Sequence, residues 1–516
     1  MLILIAFAGI WLWFPLRVES FLQFPQLRPR VVRLKTSETH HAFQTLAPVR
    51  MPQNKFELAE LDAGGKIMLK GMEFSELEDL MSVLGEKRER AVVVSRCLYQ
   101  SRRLIRDIDE AAVDDVGRGK YRLGQGIRNK LRAVVTADGG LELEDVKLAM
   151  DGTRKMVSRL TSGEGAGKQV ETVIIPMVGG RKKAARYTVC VSSQVGCAMN
   201  CQFCYTGRLG LMANLQTAQM VEQVIYAKRY LESVGDLAPL TGVVYMGMGE
   251  PFDNYDRVMK SVKILTDPRE GVRLSAGRVT VSTVGLVPQI ERFCSDPNNR
   301  ALMAVSLHAS TDQVRDQLIP VNRRYPLQDL FAVLRKHFPK RLQSRCPPHA
   351  LSPNIKPART VMHSDITTKT TKNEKNDGNG QQGPSNKPRH RRILNIEYTL
   401  LKGANDSMED AVRLAELLSE VDCVVNLITF NPHEGTPFAA SSRETLDNFR
   451  SVLTGSGLLC TVRDSRGDDG MAACGQLGGA VIDGMGDRKL IPVAWKPEPE
   501  SPAVFALPGL QQGLHD

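Results

Sequence analysis

From residue 187 the chain alternates between two rhythms. Short β-branched runs are separated by stretches with apolar residues at helical spacing, such as TAQMVEQVIYAKRYLESV and MEDAVRLAELLSEV. The runs are YTVCV (187–191), TGVVYMGMG (241–249), GRVTVSTVG (277–285), ALMAVSLHA (301–309), ILNIEYTLL (393–401) and CVVNLITFN (423–431). Strands alternating with helices predict an α/β fold on parallel strands, and six alternations predict a partial (β/α)6 barrel. Each run ends in polar or Gly-rich residues, and barrels of this kind place their chemistry at the carboxyl ends of the strands. Upstream, EFSELEDLMSVLGEKRERAVVVSRCLYQ has helical spacing, with Ser75 as N-cap and a stop at Gly85. YRLGQGIRNKLRAVV adds a basic helical stretch, and VKLAMDGTRKMVSRL and VETVIIP form a short β-rich passage. The pattern predicts a small helical accessory domain over 55–165 and the α/β domain over 166–480.

Three segments fall outside this rhythm. Residues 340–392, including KTTKNEKNDGNGQQGPSNKPRHRR, are almost free of apolar residues from 364 to 388 and read as a disordered insertion within the α/β domain. Residues 481–516 are Pro-rich and read as an irregular tail. The chain opens on a 16-residue apolar run, MLILIAFAGIWLWFPL, closed by Arg17. It is short for a membrane span of about 20 residues and is similar to the apolar part of a secretory signal. From 22 to 55 the chain is basic, with Glu38 its single acid. Residues 1–54 together resemble the two-part plastid address of algae with secondary plastids. The expected location is therefore a plastid, with mitochondrion or cytoplasm as alternatives. The mature form is expected to be a monomer without stable membrane association. Composition adds one thing. The net charge of +11 favours an anionic partner, nucleic acid first.

The candidate chemistry lies in CVSSQVGCAMNCQFCYTG (190–207), which holds four of the ten cysteines. Cys197, Cys201 and Cys204 are spaced C-x3-C-x2-C, and Cys190 stands seven residues upstream. A structural zinc site wants four ligands, usually as two well-separated pairs, and no second pair exists. A [4Fe–4S] cluster normally takes four thiolates, so three protein ligands leave one iron open. C-x3-C-x2-C with Phe203 before its last cysteine is similar to the signature of the radical SAM enzymes. There the open iron holds the amino and carboxylate groups of S-adenosylmethionine (SAM). A zinc or redox-cysteine loop is the competing reading of the spacing alone. Placement directly after the first strand favours the cluster. GMGEP (247–251) ends the second strand, and in that superfamily such a Gly-rich strand end with an acid grips the SAM amino group, matching Gly249 and Glu250.

Eight blocks carry a closer resemblance: VETVIIP, CVSSQVGCAMNCQFCYTG, YMGMGEP, VSTVGLVP, AVSLHAS, EYTLL, NLITFNPHEGTPF and RGDDGMAACGQLGG. In this order, over about 60–480, the chain resembles the RlmN/Cfr family of radical SAM adenine methyltransferases, most closely the RlmN branch. LKGMEFSELEDLMSVLGEKRERA is similar to the family's accessory RNA-binding domain. The resemblance implies methylation of carbon 2 of an adenosine in 23S-type rRNA, tRNA or both. It implies a [4Fe–4S] cluster on Cys197, Cys201 and Cys204, two SAM per turnover, and an electron donor such as flavodoxin or ferredoxin. It assigns the methyl-carrying thiol to Cys474, the proton-removing base to Glu171, and the thiol that releases product through a disulfide to Cys190. Ser282, Ser306, Leu307, His308 and Asn431 match SAM-contacting positions. C8 methylation, as in Cfr, remains open, as does a non-catalytic iron–sulfur or zinc RNA-binding protein. The chain departs from the family at Met212 and Ala213, where a basic residue is usual. The basic loop MVGGRKKAAR could replace that contact. GIRNKLR and GGRKKAAR are the expected RNA patches.

Overall fold

The computed structural model describes residues 59–100, 107–108, 110, 123–177, 185–340, 393–463, 466–467, 470–479 and 490–495. The 1–54 address, residues 341–392 of the insertion and most of GGRKKAAR lie outside the described residues. None of the described helices is long and apolar enough to cross a membrane.

The accessory part opens with β1 (Ile67–Met68), α1 (Phe74–Val83), α2 (Arg90–Tyr99), α3 (Gln125–Val134) and β2 (Val135–Thr136). Glu73, rather than the expected Ser75, is the N-cap of α1. Its N–H is bonded by the Glu76 carboxylate at 2.7 Å. That bond satisfies one of the amide groups a helix start leaves unpaired, and Ser75 falls inside the first turn. Gly85, at φ 67°, follows the helix as expected.

Next come β3 (Leu141–Leu148), β4 (Arg154–Leu160), β5 (Gln169–Met177) and β6 (Arg186–Cys190), paired antiparallel in succession. The cysteine loop follows, with β7 (Gln194–Val195), α4 (Tyr205–Arg208) and β8 (Ala213–Asn214). Then α5 (Thr217–Ser233) leads into the alternating part: β9 (Leu240–Tyr245), α6 (Tyr255–Thr266), β10 (Val279–Thr283), α7 (Val287–Ser295) and β11 (Leu302–Ser306). After α8 (Asp312–Leu318) and α9 (Leu327–His337) come β12 (Leu394–Leu400), α10 (Met408–Leu417), β13 (Cys423–Thr429), α11 (Arg443–Gly455) and β14 (Leu459–Arg463).

One sheet takes ten of these strands, in the order β14-β13-β12-β11-β10-β9-β6-β5-β4-β3. β6 and β9 to β14 are parallel. The six expected strands are all present, and β14 is a seventh at the edge. Every residue of β10 and β12 is buried, as parallel strands covered on both faces require. The sheet runs through the expected boundary at 165, because β3 and β4 extend the same sheet as the barrel strands. The 55–165 segment is thus helical in its first part and sheet-forming in its second.

Two acid contacts fix the accessory part to the barrel. The Glu60 carboxylate accepts from Thr217 N and Ala218 N, at 2.6 and 2.8 Å, capping α5. Lys70, fully buried, pairs with Glu222 on α5, and Glu222 also meets Arg229 at 3.1 Å. Burial pulls the Lys70 ammonium below its ordinary pKa, against the pull of Glu222. Removing one partner strands a buried charge. Lys70→Ala should therefore lower unfolding stability by about 3–5 kcal/mol, read by urea denaturation. A loss under ~1 kcal/mol, the range of an exposed pair, would show that this contact does not hold the accessory part.

Candidate active site

The cysteine loop leaves β6 at Cys190 and wraps tightly before α4. Gly196 sits at φ 74°, and a Cβ there would lie 1.9 Å from Gly210 O, so the wrap needs glycine. Cys197 N then bonds Gly210 O at 3.1 Å, and Gln202 N bonds Leu318 O at 2.9 Å. Cys201 and Cys204 line an open cavity of about 940 Å3, including its mouth, at the carboxyl ends of the parallel strands. Cys197 is buried beside them, outside the cavity lining. Burial drives all three thiols above the ordinary thiol range; Cys201 and Cys204 raise Cys197 further, and Cys204 raises Cys201.

Among the described residues no three His, Cys, Asp or Glu gather around a point suited to a single metal ion. Three buried thiols on one loop, two of them against an open cavity, fit the three-thiolate holding of an iron–sulfur cluster instead. Cys197, Cys201 and Cys204 would hold such a cluster, and three ligands would leave one iron for a substrate.

Gly249, Glu250, Ser282, Ser306 and His308 line the same cavity. Gly249 has φ 98°, and a Cβ there would lie 2.5 Å from Gln194 Cβ. This close approach lets Gln194 Oε1 accept from Glu250 N at 2.8 Å. Burial pushes the Glu250 carboxyl up to about 7, against hydrogen bonds from Val284 N (2.9 Å) and Phe252 N (3.0 Å). His308 adopts φ 53°, and its Nδ1 accepts from Thr399 N at 2.9 Å. Burial, then the Arg315 charge, pulls His308 down to about 3. It is therefore the neutral Nε2–H tautomer at neutral pH, a hydrogen-bond donor. Leu307 does not line the cavity. It is buried behind it, with N bonded to Glu397 O and O accepting from Arg315 Nε at 3.0 Å each.

Cys474 also lines this cavity, and it lines a second, smaller one with Cys190 and Asn431. Both cysteines are free thiols. Burial and then Cys474 push Cys190 up to about 12. Cys474 has exposed surface yet stands against dense protein. Desolvation raises its pKa, Arg463 lowers it and Glu397 raises it. Asn431 faces the second cavity, not the first, and donates to Cys474 O at 3.4 Å. Glu171 lines neither cavity. It is buried on β5, where Oε2 accepts from Gly478 N at 3.0 Å and Oε1 lies 3.7 Å from Lys155 Nζ.

The loop bearing Cys474 is held by the neighbouring strands. Lys155 Nζ donates to Met471 O at 2.9 Å, and Asp151 Oδ2 accepts from Gly467 N at 3.1 Å. Tyr205 N bonds Gly475 O at 2.9 Å and Thr206 Oγ1 bonds Leu477 O at 2.5 Å, joining this loop to the cysteine loop. Residues 490–495 of the expected irregular tail have no regular structure but pack here. Ala494 N bonds Gln202 Oε1 at 2.6 Å, and Trp495 meets Phe438. Two cavity-wall residues that the sequence reading did not single out are Glu397 and Arg463. Glu397 stands inside the quoted EYTLL block, and that was its only signal. Of the expected RNA patch on α3, Lys130 is paired with Glu86 at 2.7 Å.

Residues 191–340 match the Radical SAM superfamily. The chain is 36% identical over 416 residues to the dual-specificity RNA methyltransferase RlmN of Geotalea uraniireducens (strain Rf4), covering 81% of this chain and 98% of that protein. The chain belongs to the RlmN family. It also aligns with the crystal structure of a radical SAM methyltransferase from Sphaerobacter thermophilus at 35% identity and a TM-score of 0.62, over 79% of this chain and 98% of that one. The superfamily uses a [4Fe–4S] cluster and SAM, and the RlmN-family chain presented here has the thiols and the cavity to fit both.

Asp151→Ala removes the acceptor for Gly467 N at the base of the Cys474 loop. A hydrogen bond contributes about 1 kcal/mol, so loop opening should rise roughly fivefold. Limited trypsin digestion should cut faster after Arg463 or Arg466 in the variant. Equal cleavage rates would show that Asp151 does not hold the loop.

Proposed function

We propose that this chain methylates carbon 2 of an adenosine in ribosomal RNA, transfer RNA or both, with a cysteine as methyl carrier. One observation carries this reading. Cys474 stands in the wall between a cavity that holds two cluster-type thiols, Glu250 and His308, and a second cavity that holds Cys190. A carrier thiol needs that placement, because it must meet SAM on one side and its resolving thiol on the other.

Cys197, Cys201 and Cys204 would hold the cluster. When bound, the cluster supplies the electron, received from a donor such as flavodoxin or ferredoxin, that opens SAM to radical chemistry. Glu250 takes the SAM ammonium. Removal of that cation's proton is opposed by the carboxylate, and the cation in turn draws the carboxyl below the value burial gives it. Ser282, Ser306 and the His308 Nε2–H supply polar contacts at the strand ends. Cys474 carries the one-carbon unit. Once the carbon is bonded to C2, the single electron admitted at the start has been given back and the C2 proton is gone, Cys190 attacks the Cys474 sulfur as a thiolate: an S–S bond forms, the S–C bond breaks, and the electron pair leaves with the carbon now on the base, which takes a proton. A cellular dithiol resets the pair. Glu171 accepts the C2 proton, its Oε2 already accepting from Gly478 N. Asn431 positions the Cys474 backbone from the second cavity. The target base must leave any stack to expose C2. The address read in residues 1–54 makes organellar RNA the substrate pool.

Anaerobic reconstitution with dithionite, SAM and rRNA or tRNA should yield 5′-deoxyadenosine and 2-methyladenosine, resolved by mass spectrometry from 8-methyladenosine. Absence of both products overturns the reading, and 8-methyladenosine would replace it. Cys474→Ala should abolish methyl transfer and carry no S-methyl label. Glu250→Gln should bind iron normally but weaken SAM binding about 30-fold, from roughly 2 kcal/mol lost with a buried charge partner. Unchanged calorimetric affinity would remove Glu250 from the SAM site.

A further inference from the structure

The two cavities share five wall residues: Met246, Ile428, Arg463, Cys474 and Leu477. Arg463 is the one charged residue among these five. It ends β14, and the polar residues beside it are set by strand register. Glu397 on β12 pairs across to Asn426 on β13, and Asn426 pairs to Thr461 on β14, two residues before Arg463. Side chains two apart on a strand share a face, so these groups form a row across the inner face of three parallel strands. Asn426 Nδ2 donates to Glu397 Oε1 at 2.9 Å, and Thr461 Oγ1 bonds Asn426 Oδ1 at 2.5 Å. The remaining oxygen, Glu397 Oε2, is buried without a hydrogen bond and faces Arg463 at 3.8 Å. Arg463 also approaches Met246 Sδ at 3.7 Å.

Glu397 is thus fixed from one side and holds Arg463 at the partition on the other. Burial lowers the Arg463 pKa, but Glu397, Cys474 and Cys190 outweigh it, and the guanidinium stays charged. Arg463 in turn lowers both thiols. The other charged or titratable groups facing this pair are Cys204 on the cysteine loop, Arg466 in the wall of the second cavity, and Lys155 and Glu171, which reach the Cys474 loop at Met471 O and Gly478 N.

We propose that Arg463 is a positioning residue for both thiol steps: held by Glu397 in the shared wall, its guanidinium favours the thiolate of Cys474 toward the SAM cavity and that of Cys190 toward the second. This assignment rests on the carrier and resolving roles proposed above. One cation serves two nucleophiles in turn because both face the same partition. Lysine would keep the charge, while a neutral side chain would leave two desolvated thiols opposite Glu397 alone.

The test needs neither SAM nor RNA, so its failure is distinguishable from failure of the methylation reading. Cluster-loaded protein is treated with iodoacetamide between pH 6 and 10, and alkylation of Cys474 and Cys190 is followed by peptide mass spectrometry. Arg463→Gln should move the Cys474 profile to higher pH and slow its alkylation at neutral pH about tenfold, the equivalent of one pKa unit. Arg463→Lys should stay within about threefold of the parent, since the charge remains. A parental profile in Arg463→Gln overturns the proposal, as does an equal shift in both variants, which would mean packing rather than charge. If Arg463→Gln does not fold, as judged by its melt and iron content, Arg463→Lys decides: a tenfold or larger slowing overturns the proposal.

Discussion

A cysteine has a one-carbon stem, so a sulfur that must serve two cavities needs its own backbone in the wall between them. Ile428 and Arg463 reach both cavities from strands because their side chains are longer. Cys474 therefore stands on a loop, between Gly470 and Gly478 and next to Ala472, Ala473 and Gly475, where small residues let the backbone run through the wall. Such a loop has no ladder partners of its own. Its amides and carbonyls must be met by side chains from elsewhere, or remain buried at a cost of about 1–3 kcal/mol each. Asp151, Lys155, Glu171, Asn431 and Thr206 supply those bonds from five parts of the chain. The antiparallel extension β3–β4–β5, which adds nothing to the barrel's own cavity, provides three of them.

The opposite requirement governs the SAM-facing wall. Its residues stay on strand ends because they face one way. Parallel register places Ser282, Ser306 and Glu397 on adjacent strands. The ends are then tied together from behind. Arg315, fully buried, donates to Leu307 O, Val284 O and Ser306 O, and to Asn322 Oδ1. Burial lowers its pKa to about 10, so it remains charged at neutral pH. Burial, reinforced by the same charge, keeps His308 neutral, and the clamp on the Leu307 carbonyl adjoins the left-handed turn at His308.

The division between loop and strand explains what the sequence showed. Cys197, Cys201 and Cys204 were legible because their partner is local: one loop must present three thiols, and the spacing is in the sequence. The parallel strands were legible from β-branched runs, except β14, an edge strand with one buried residue in five, which carries no buried-strand pattern. The pairing of Cys190 with Cys474 came through resemblance, and the cavity they share came only from the fold. Asn431 and Leu307 lie in blocks that were recognised, yet the structure turns one to the second cavity and buries the other behind the first. A motif fixes identity at a position, while the direction of a side chain depends on which strand lies beside it. Arg463 and Glu397, 66 positions apart in sequence, meet only because β12 and β14 flank β13.

The two arginines of the site differ in a way that follows from their partners. Arg315 satisfies its guanidinium on carbonyls and an amide oxygen in the interior, so its geometry is saturated and its charge serves as a fixed background. Arg463 leaves about a third of its side chain exposed and has a carboxylate at 3.8 Å, longer than a tight ion pair. It is held on one side only. A guanidinium held this loosely can follow a neighbouring anion as that anion moves, which a saturated one cannot. In a site where negative charge must form first on Cys474 and later on Cys190, the rigid cation belongs behind the strands and the partly free one belongs in the wall, where the structure has each of them.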